Sequence, residues 1–202
     1  MRLLLFSILC ATADGHALPS RASEEVPLQY SGRLSDLRQD SGLLGEGWKG
    51  RAGLVIDDLS DTSSLRGPEQ KVAHELVKLL RPKRIRACAD FTYLREDNYA
   101  PHAKYRPGIV TLRIFIFERP ADARAWWKEK YEHPGAEKHY RPVAGVGDLA
   151  VDSTEMAKRM VLIGNCWLTC HQLHQGSEYL QVLERYVEKL QRAAQRDHSG
   201  PP

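Results

Sequence analysis

The chain lacks the short patterns on which many enzymes are built. It has no Gly-x-Ser-x-Gly elbow, no His-Glu-x-x-His pair and no phosphate loop ending in Gly-Lys-Ser/Thr. Gly145-Val146-Gly147-Asp148 carries two glycines of a dinucleotide fingerprint, without the third glycine or the helix that must follow. A strand pattern follows instead, so tight backbone turning explains these glycines. Charge of one sign is also missing: 29 Lys and Arg against 26 Asp and Glu give +3 over 202 residues. A nucleic-acid binder presents a basic stripe interleaved with aromatics. The nearest run, Arg81-Pro82-Lys83-Arg84-Ile85-Arg86, reads as a solvated helix-to-strand junction and the polar face of the next strand. No nucleic-acid partner is expected, and no transmembrane segment is expected in the mature chain.

The longest apolar run, residues 3–11, follows Arg2 and is too short to span a bilayer. Small-x-small patterns come next, Ala11-Thr12-Ala13 and Gly15-His16-Ala17. Charge, apolar stretch and small residues in that order describe a secretory signal peptide over 1–17, cleaved after Ala13 or Ala17. The protein is therefore expected to be exported, periplasmic or secreted. Residues 18–47, rich in Ser, Arg, Asp and Gly, read as a linker and loosely packed lead-in. One α+β domain is expected over 48–196, with a disordered tail over 197–202. That length buries a core without metals or disulfides as staples.

Trp48 and Leu54-Val55-Ile56 predict an edge strand. Gly67-Pro68-Glu69 opens a helix ended by Pro82, with Pro68 at a position that has no donor to lose. Val72, Leu76, Leu79 and Leu80 recur in it at helical spacing. Ile85, Ala87, Ala89, Phe91 and Tyr93 alternate with polar residues, a strand with one buried face. A loop is expected over 95–107. Residues 109–118 are apolar on both faces near their end, as in a central strand. Pro120 starts a second helix through Tyr131, and 142–148 reads as a turn region. Strands over 149–151, 159–163 and 166–173 follow, the last two joined by Gly164-Asn165, a pair suited to a tight hairpin. Ser177 caps a closing helix whose stripe is Leu180, Leu183, Val187, Leu190 and Ala194. Hairpins dominate over βαβ units, so the sheet should be mainly antiparallel, with helices packed on it.

Two cysteines and two histidines lie close together in Cys166-Trp167-Leu168-Thr169-Cys170-His171 and His174. On a strand, Cys166 and Cys170 share a face about 13 Å apart and His171 points the other way, so one ion cannot reach all three. A metal or haem site at Cys166, Cys170, His171 and His174 remains an alternative that requires this segment not to be a strand; no cofactor is expected. Once Cys10 leaves with the signal, three thiols remain, and Cys88 is a disulfide candidate with Cys166 or Cys170, a fit for an oxidising compartment. Asp57, Asp58 and Asp61 do not match the calcium-loop spacing. Trp126 and Trp127 are about 100° apart around the helix axis, so one should cover the sheet and the other rest at its margin as a partner contact.

From Trp48 to Gln195 the order of elements, the helix beginning Pro120-Ala121-Asp122-Ala123-Arg124-Ala125-Trp126, the Val143-Ala144-Gly145-Val146-Gly147-Asp148-Leu149-Ala150 stretch and the Ile163-Gly164-Asn165 hairpin resemble uncharacterised exported bacterial proteins with a PsbP-like α/β/α sandwich. The resemblance implies an accessory or binding role. It carries over no functional residues. The chain is thus expected to be a non-enzymatic binding or accessory module for an unknown protein partner or small ligand. A metal- or haem-binding protein and a structural subunit of an envelope complex are the alternatives.

Overall fold

The computed structural model describes residues 28–37, 42–63, 67–95, 108–173 and 176–199. The signal peptide, residues 18–27, most of the loop expected over 95–107, and His174 lie outside them. In chain order the elements are β1 (Trp48–Ile56), α1 (Gly67–Leu80), β2 (Ile85–Arg95), β3 (Ile109–Phe117), α2 (Pro120–Tyr131), β4 (Tyr140–Val143), β5 (Leu149–Ser153), β6 (Lys158–Ile163), β7 (Cys166–Leu173) and α3 (Glu178–Ser199). The strands form one seven-stranded sheet in the order β1-β2-β3-β7-β6-β5-β4. Every neighbouring pair is antiparallel. The fold is the α+β class expected from the hairpin-rich pattern.

Period-two alternation divides the core in two. Val110, Leu112, Ile114 and Ile116 of β3 join Cys166, Leu168 and Cys170 of β7 under Val182, Leu183, Tyr186 and Leu190 of α3. Phe115, Phe117 and Trp167 point the other way, under Ala73 and Leu80 of α1 and Ala123 and Trp127 of α2. The result is three layers, α3 on one face and α1 with α2 on the other. Among the described residues no helix is long and apolar enough to cross a membrane.

The β6–β7 hairpin turns as its residues require. Ile163 faces Cys166 and Leu162 faces Trp167. Gly164 has φ +56°, and a Cβ there would run into the Leu28 carbonyl. Asn165 is fully buried: its Nδ2 donates to the Phe117 carbonyl (2.9 Å) and its side chain clasps Tyr30.

That clasp corrects the expected loose lead-in. Tyr30, Leu34 and Leu37 are buried in the α3-side core, the two leucines bracketing the 3₁₀ turn Leu34–Leu37. Arg86 Nη2 donates to the Tyr30 and Gly32 carbonyls, and Lys189 Nζ to that of Leu37. The domain therefore begins well before Trp48. At the other end α3 continues to Ser199, past the expected boundary at 196.

Three smaller corrections follow from geometry. In α1, Ala73 and Leu80 are buried while Val72 and Leu79 are 52% and 61% exposed; two overlapping stripes fit helical spacing, and the sheet takes the one through Ala73, Leu76, Val77 and Leu80. A register shift between Ile85 and Ala87 sends Ile85 to the opposite cluster from Ala87. Part of the stretch expected as a turn is β4, an edge strand that tolerates Pro142 because an edge strand has no ladder partner on its outer side.

Candidate functional site

Directly opposed residues in a sheet project to the same face, so the register lays the α1/α2 side out in rows. The first, Cys88–Phe115–Trp167–Leu162, is apolar and belongs to the core beneath the helices. The second is Asp90–Arg113–Thr169–Met160 and the third Thr92–Thr111–His171–Lys158. With distance from the first row the face turns polar and opens: the Arg113 and Asp90 side chains are 50% and 36% exposed.

Arg113 grips Asp90 with both arms, Nε to Oδ1 at 2.7 Å and Nη2 to Oδ2 at 2.9 Å, a bidentate pair. Both carboxylate oxygens are thereby engaged. Lys158 is half-buried, and its pKa is held below the usual lysine value by burial and by the nearby Arg113 charge. Half-buried His171 is held below the usual imidazole range, first by burial, then by Lys158 and Arg113, with Asp90 opposing. One row away, between Arg113 of β3 and Met160 of β6, lies Thr169, 7% exposed, whose Oγ1 is buried and has no hydrogen-bond partner among the described residues. Two cations, one imidazole and an unsatisfied hydroxyl thus converge on rigid strands, with a single carboxylate already committed to one of the cations.

The aromatic row borders this patch. Trp167 stacks on Phe115 with centroids 5.1 Å apart, and Trp126 meets both edge-on at 6.3 Å. Trp127 is 2% exposed. Trp126 is half-buried, with Lys83 and Lys130 ammonium groups 4.4 and 5.1 Å from its ring centroid.

The thiols are not brought together. Cys166 and Cys170 lie in the α3-side core and Cys88 in the opposite one. β2 and β7 are both neighbours of β3, hence about 10 Å apart at normal strand spacing. A disulfide needs Cα atoms within about 7 Å, so the expected pairing of Cys88 with Cys166 or Cys170 is corrected: all three are free and buried. Burial pushes all three pKa values up, that of Cys88 to about 12 with a contribution from Asp90. His171 lies across the sheet from both late thiols, and among the described residues no three His, Cys, Asp or Glu side chains gather as a metal site. Asp57, Asp58 and Asp61 accept hydrogen bonds from Ser35, Ser60 and Ser63.

A hollow of about 480 Å³ lies between the start of α2 and the β6–β7 turn, lined by Pro120, Arg124, Asp148, Leu149, Leu162 and Gly164. Its charges are already engaged, Arg124 with Glu132 at 2.6 Å and Asp148 with the Gly164 amide at 2.6 Å. The polar rows are therefore the stronger candidate. Arg113, Lys158, Thr169 and Asp90 share no motif in the sequence; the signal it holds is a charged residue, Arg113, in the middle of an otherwise apolar central strand.

No protein-family model and no curated protein matches the chain. Among solved structures it is similar to the extracellular domain of PknH from Mycobacterium tuberculosis, at 14% identity over 82% of this chain and 99% of that one, with a TM-score of 0.46.

Proposed function

We propose that this chain is an exported, non-enzymatic binding or accessory module that receives its ligand or partner on the polar half of the sheet face, at Arg113, Thr169, His171 and Lys158. The carrying observation is the buried Thr169 hydroxyl without a partner among the described residues, because a satisfied polar group is the rule in a buried position and an exception asks for an explanation. Strands hold the surrounding groups in fixed positions, which favours recognition. The three buried thiols have raised pKa values, which disfavours the thiolate that cysteine chemistry needs. Export is supported by the charge, apolar run and small-residue sites of residues 2–17. Likeness to exported proteins with a PsbP-like sandwich is part of this reading and is supported by helices on both faces of the antiparallel sheet. Trp126, beside the aromatic row, is proposed as the margin of the contact.

Thermal unfolding in the presence of inorganic phosphate, citrate, N-acetylglucosamine or laurate tests the proposal, with the wild type beside a Lys158→Gln/His171→Gln double variant. A ligand at a hundredfold excess over its Kd adds about 2.7 kcal/mol, or roughly 5–11 °C for a domain of this size. At least one probe should raise the wild-type midpoint and leave the double variant unmoved. Equal shifts in both proteins, or no shift with any probe, contradict the proposal.

A further inference from the structure

We infer that the polar half of the sheet face holds an oxyanion, the phosphate or carboxylate group of a ligand, on the neighbouring Lys158 and His171 and beside Thr169 in the adjacent row. The inference rests on the binding reading above and adds the ligand's charge.

The groups facing this position can be stated element by element. β2 contributes Asp90 and Thr92, β3 Arg113 and Thr111, β7 Thr169 and His171, and β6 Lys158. β1 adds Arg51 opposite Thr92 at the exposed edge. Among the described residues the cations outnumber the single carboxylate, and Arg113 already holds that carboxylate through both oxygens. No ion pair involving Lys158 occurs among the described residues. Its charge is therefore half-buried and without an ion-pair partner among the described residues. An apolar group covering it would strip more water from the ammonium and give nothing back, an unfavourable exchange, and a neutral acceptor would leave the charge unbalanced. An oxyanion replaces that water with a charge-assisted hydrogen bond. Thr169 Oγ1, buried and without an acceptor among the described residues, is a hydroxyl donor that the ligand's oxygen would satisfy. The imidazole of His171 supplies a ring N–H in its neutral form and a second when protonated. Arg113, anchored by Asp90, lends positive potential from the second row.

An anion at this place changes the behaviour of His171. Burial and the Lys158 and Arg113 charges disfavour its protonation in the unliganded protein; a bound anion favours protonation. Binding is thus coupled to proton uptake and strengthens as pH falls through the histidine range.

The test is an NMR titration of the His171 imidazole in inorganic phosphate, in citrate, and in chloride at matched ionic strength. The pKa should rise in phosphate, in citrate or in both, and the arm that moves it names the oxyanion. Chloride should leave it in place. Lys158→Gln should weaken binding by about tenfold or more, Lys158→Arg should restore most of it, and Arg124→Gln, in the hollow beside α2, should not alter it. An identical His171 titration in all three salts, or undiminished binding by Lys158→Gln, overturns the inference. If N-acetylglucosamine or laurate instead binds in a manner lost in the double variant, the oxyanion assignment fails while the binding reading stands. If none of the four probes binds, both fail.

Discussion

Asn165 holds the backbone of Tyr30 from both sides: the Tyr30 amide donates to Asn165 Oδ1 at 2.8 Å, and Asn165 Nδ2 donates to the Tyr30 carbonyl at 3.1 Å. One turn residue thus joins the central hairpin to a segment 135 positions earlier in the chain. Replacing it by Ala strands buried backbone groups of Tyr30 and Phe117, each worth about 1–3 kcal/mol. Asn165→Ala should lower the unfolding free energy by about 3 kcal/mol, measured by denaturant titration. A loss below about 0.5 kcal/mol, the range of ordinary surface changes, would mean that residues 28–37 contribute little to the fold.

Gly164→Ala should destabilise by a different route. Its φ of +56° costs an L-residue about 1–2 kcal/mol, and the new methyl meets the Leu28 carbonyl. Limited proteolysis should then cleave near Leu28 in the variant and spare the wild type.

The rotation of α1 separates two leucines that the sequence treats alike. Leu80→Ala removes a buried side chain and should cost about 2–5 kcal/mol. Leu79→Ala, at an exposed position, should stay within about 0.5 kcal/mol of wild type. Equal losses by denaturant titration would place the helix in the other register.

Stability should depend on His171 with a definite sign. Its folded pKa lies below the ordinary value of 6.5, first because of burial and then because of the Lys158 and Arg113 charges. Above 6.5 both folded and unfolded states are neutral there and the group is silent. As pH falls below 6.5 the unfolded chain takes up the proton first, and stability drops. His171→Gln should flatten this part of the pH profile of unfolding, and an unchanged slope contradicts the shift.

The thiols should behave as inert core groups. Cys88, Cys166 and Cys170 are free and buried, so each should react with a disulfide reagent only after unfolding. A reductant should leave the midpoint in place. A lowered midpoint would indicate a bridge that the opposite faces of Cys88 and Cys166 forbid.

Much of the architecture was legible because alternation and helix punctuation act locally. The α2 helix starts at Pro120 and ends at Tyr131 as the sequence indicates, and the pairing of Ile163 with Cys166 follows from a two-residue turn. What escaped depends on partners distant in sequence. Tyr30 looks like linker until Asn165, Arg86 and α3 are placed around it. The choice between Val72 and Ala73 as the buried position of α1 depends on how the helix settles on the sheet. The polar rows require strand order: Arg113, Thr169 and Lys158 become neighbours only because β3, β7 and β6 lie side by side.

The most direct measurement is the amide spectrum of the isotope-labelled protein as inorganic phosphate, citrate, N-acetylglucosamine and laurate are added in turn. The largest movements should fall on Asp90, Arg113, Lys158, Thr169 and His171, saturate with ligand, and vanish in the Lys158→Gln/His171→Gln variant. Movements confined to Arg124, Asp148 and Gly164, or a spectrum indifferent to all four compounds, would contradict the assignment of the binding face.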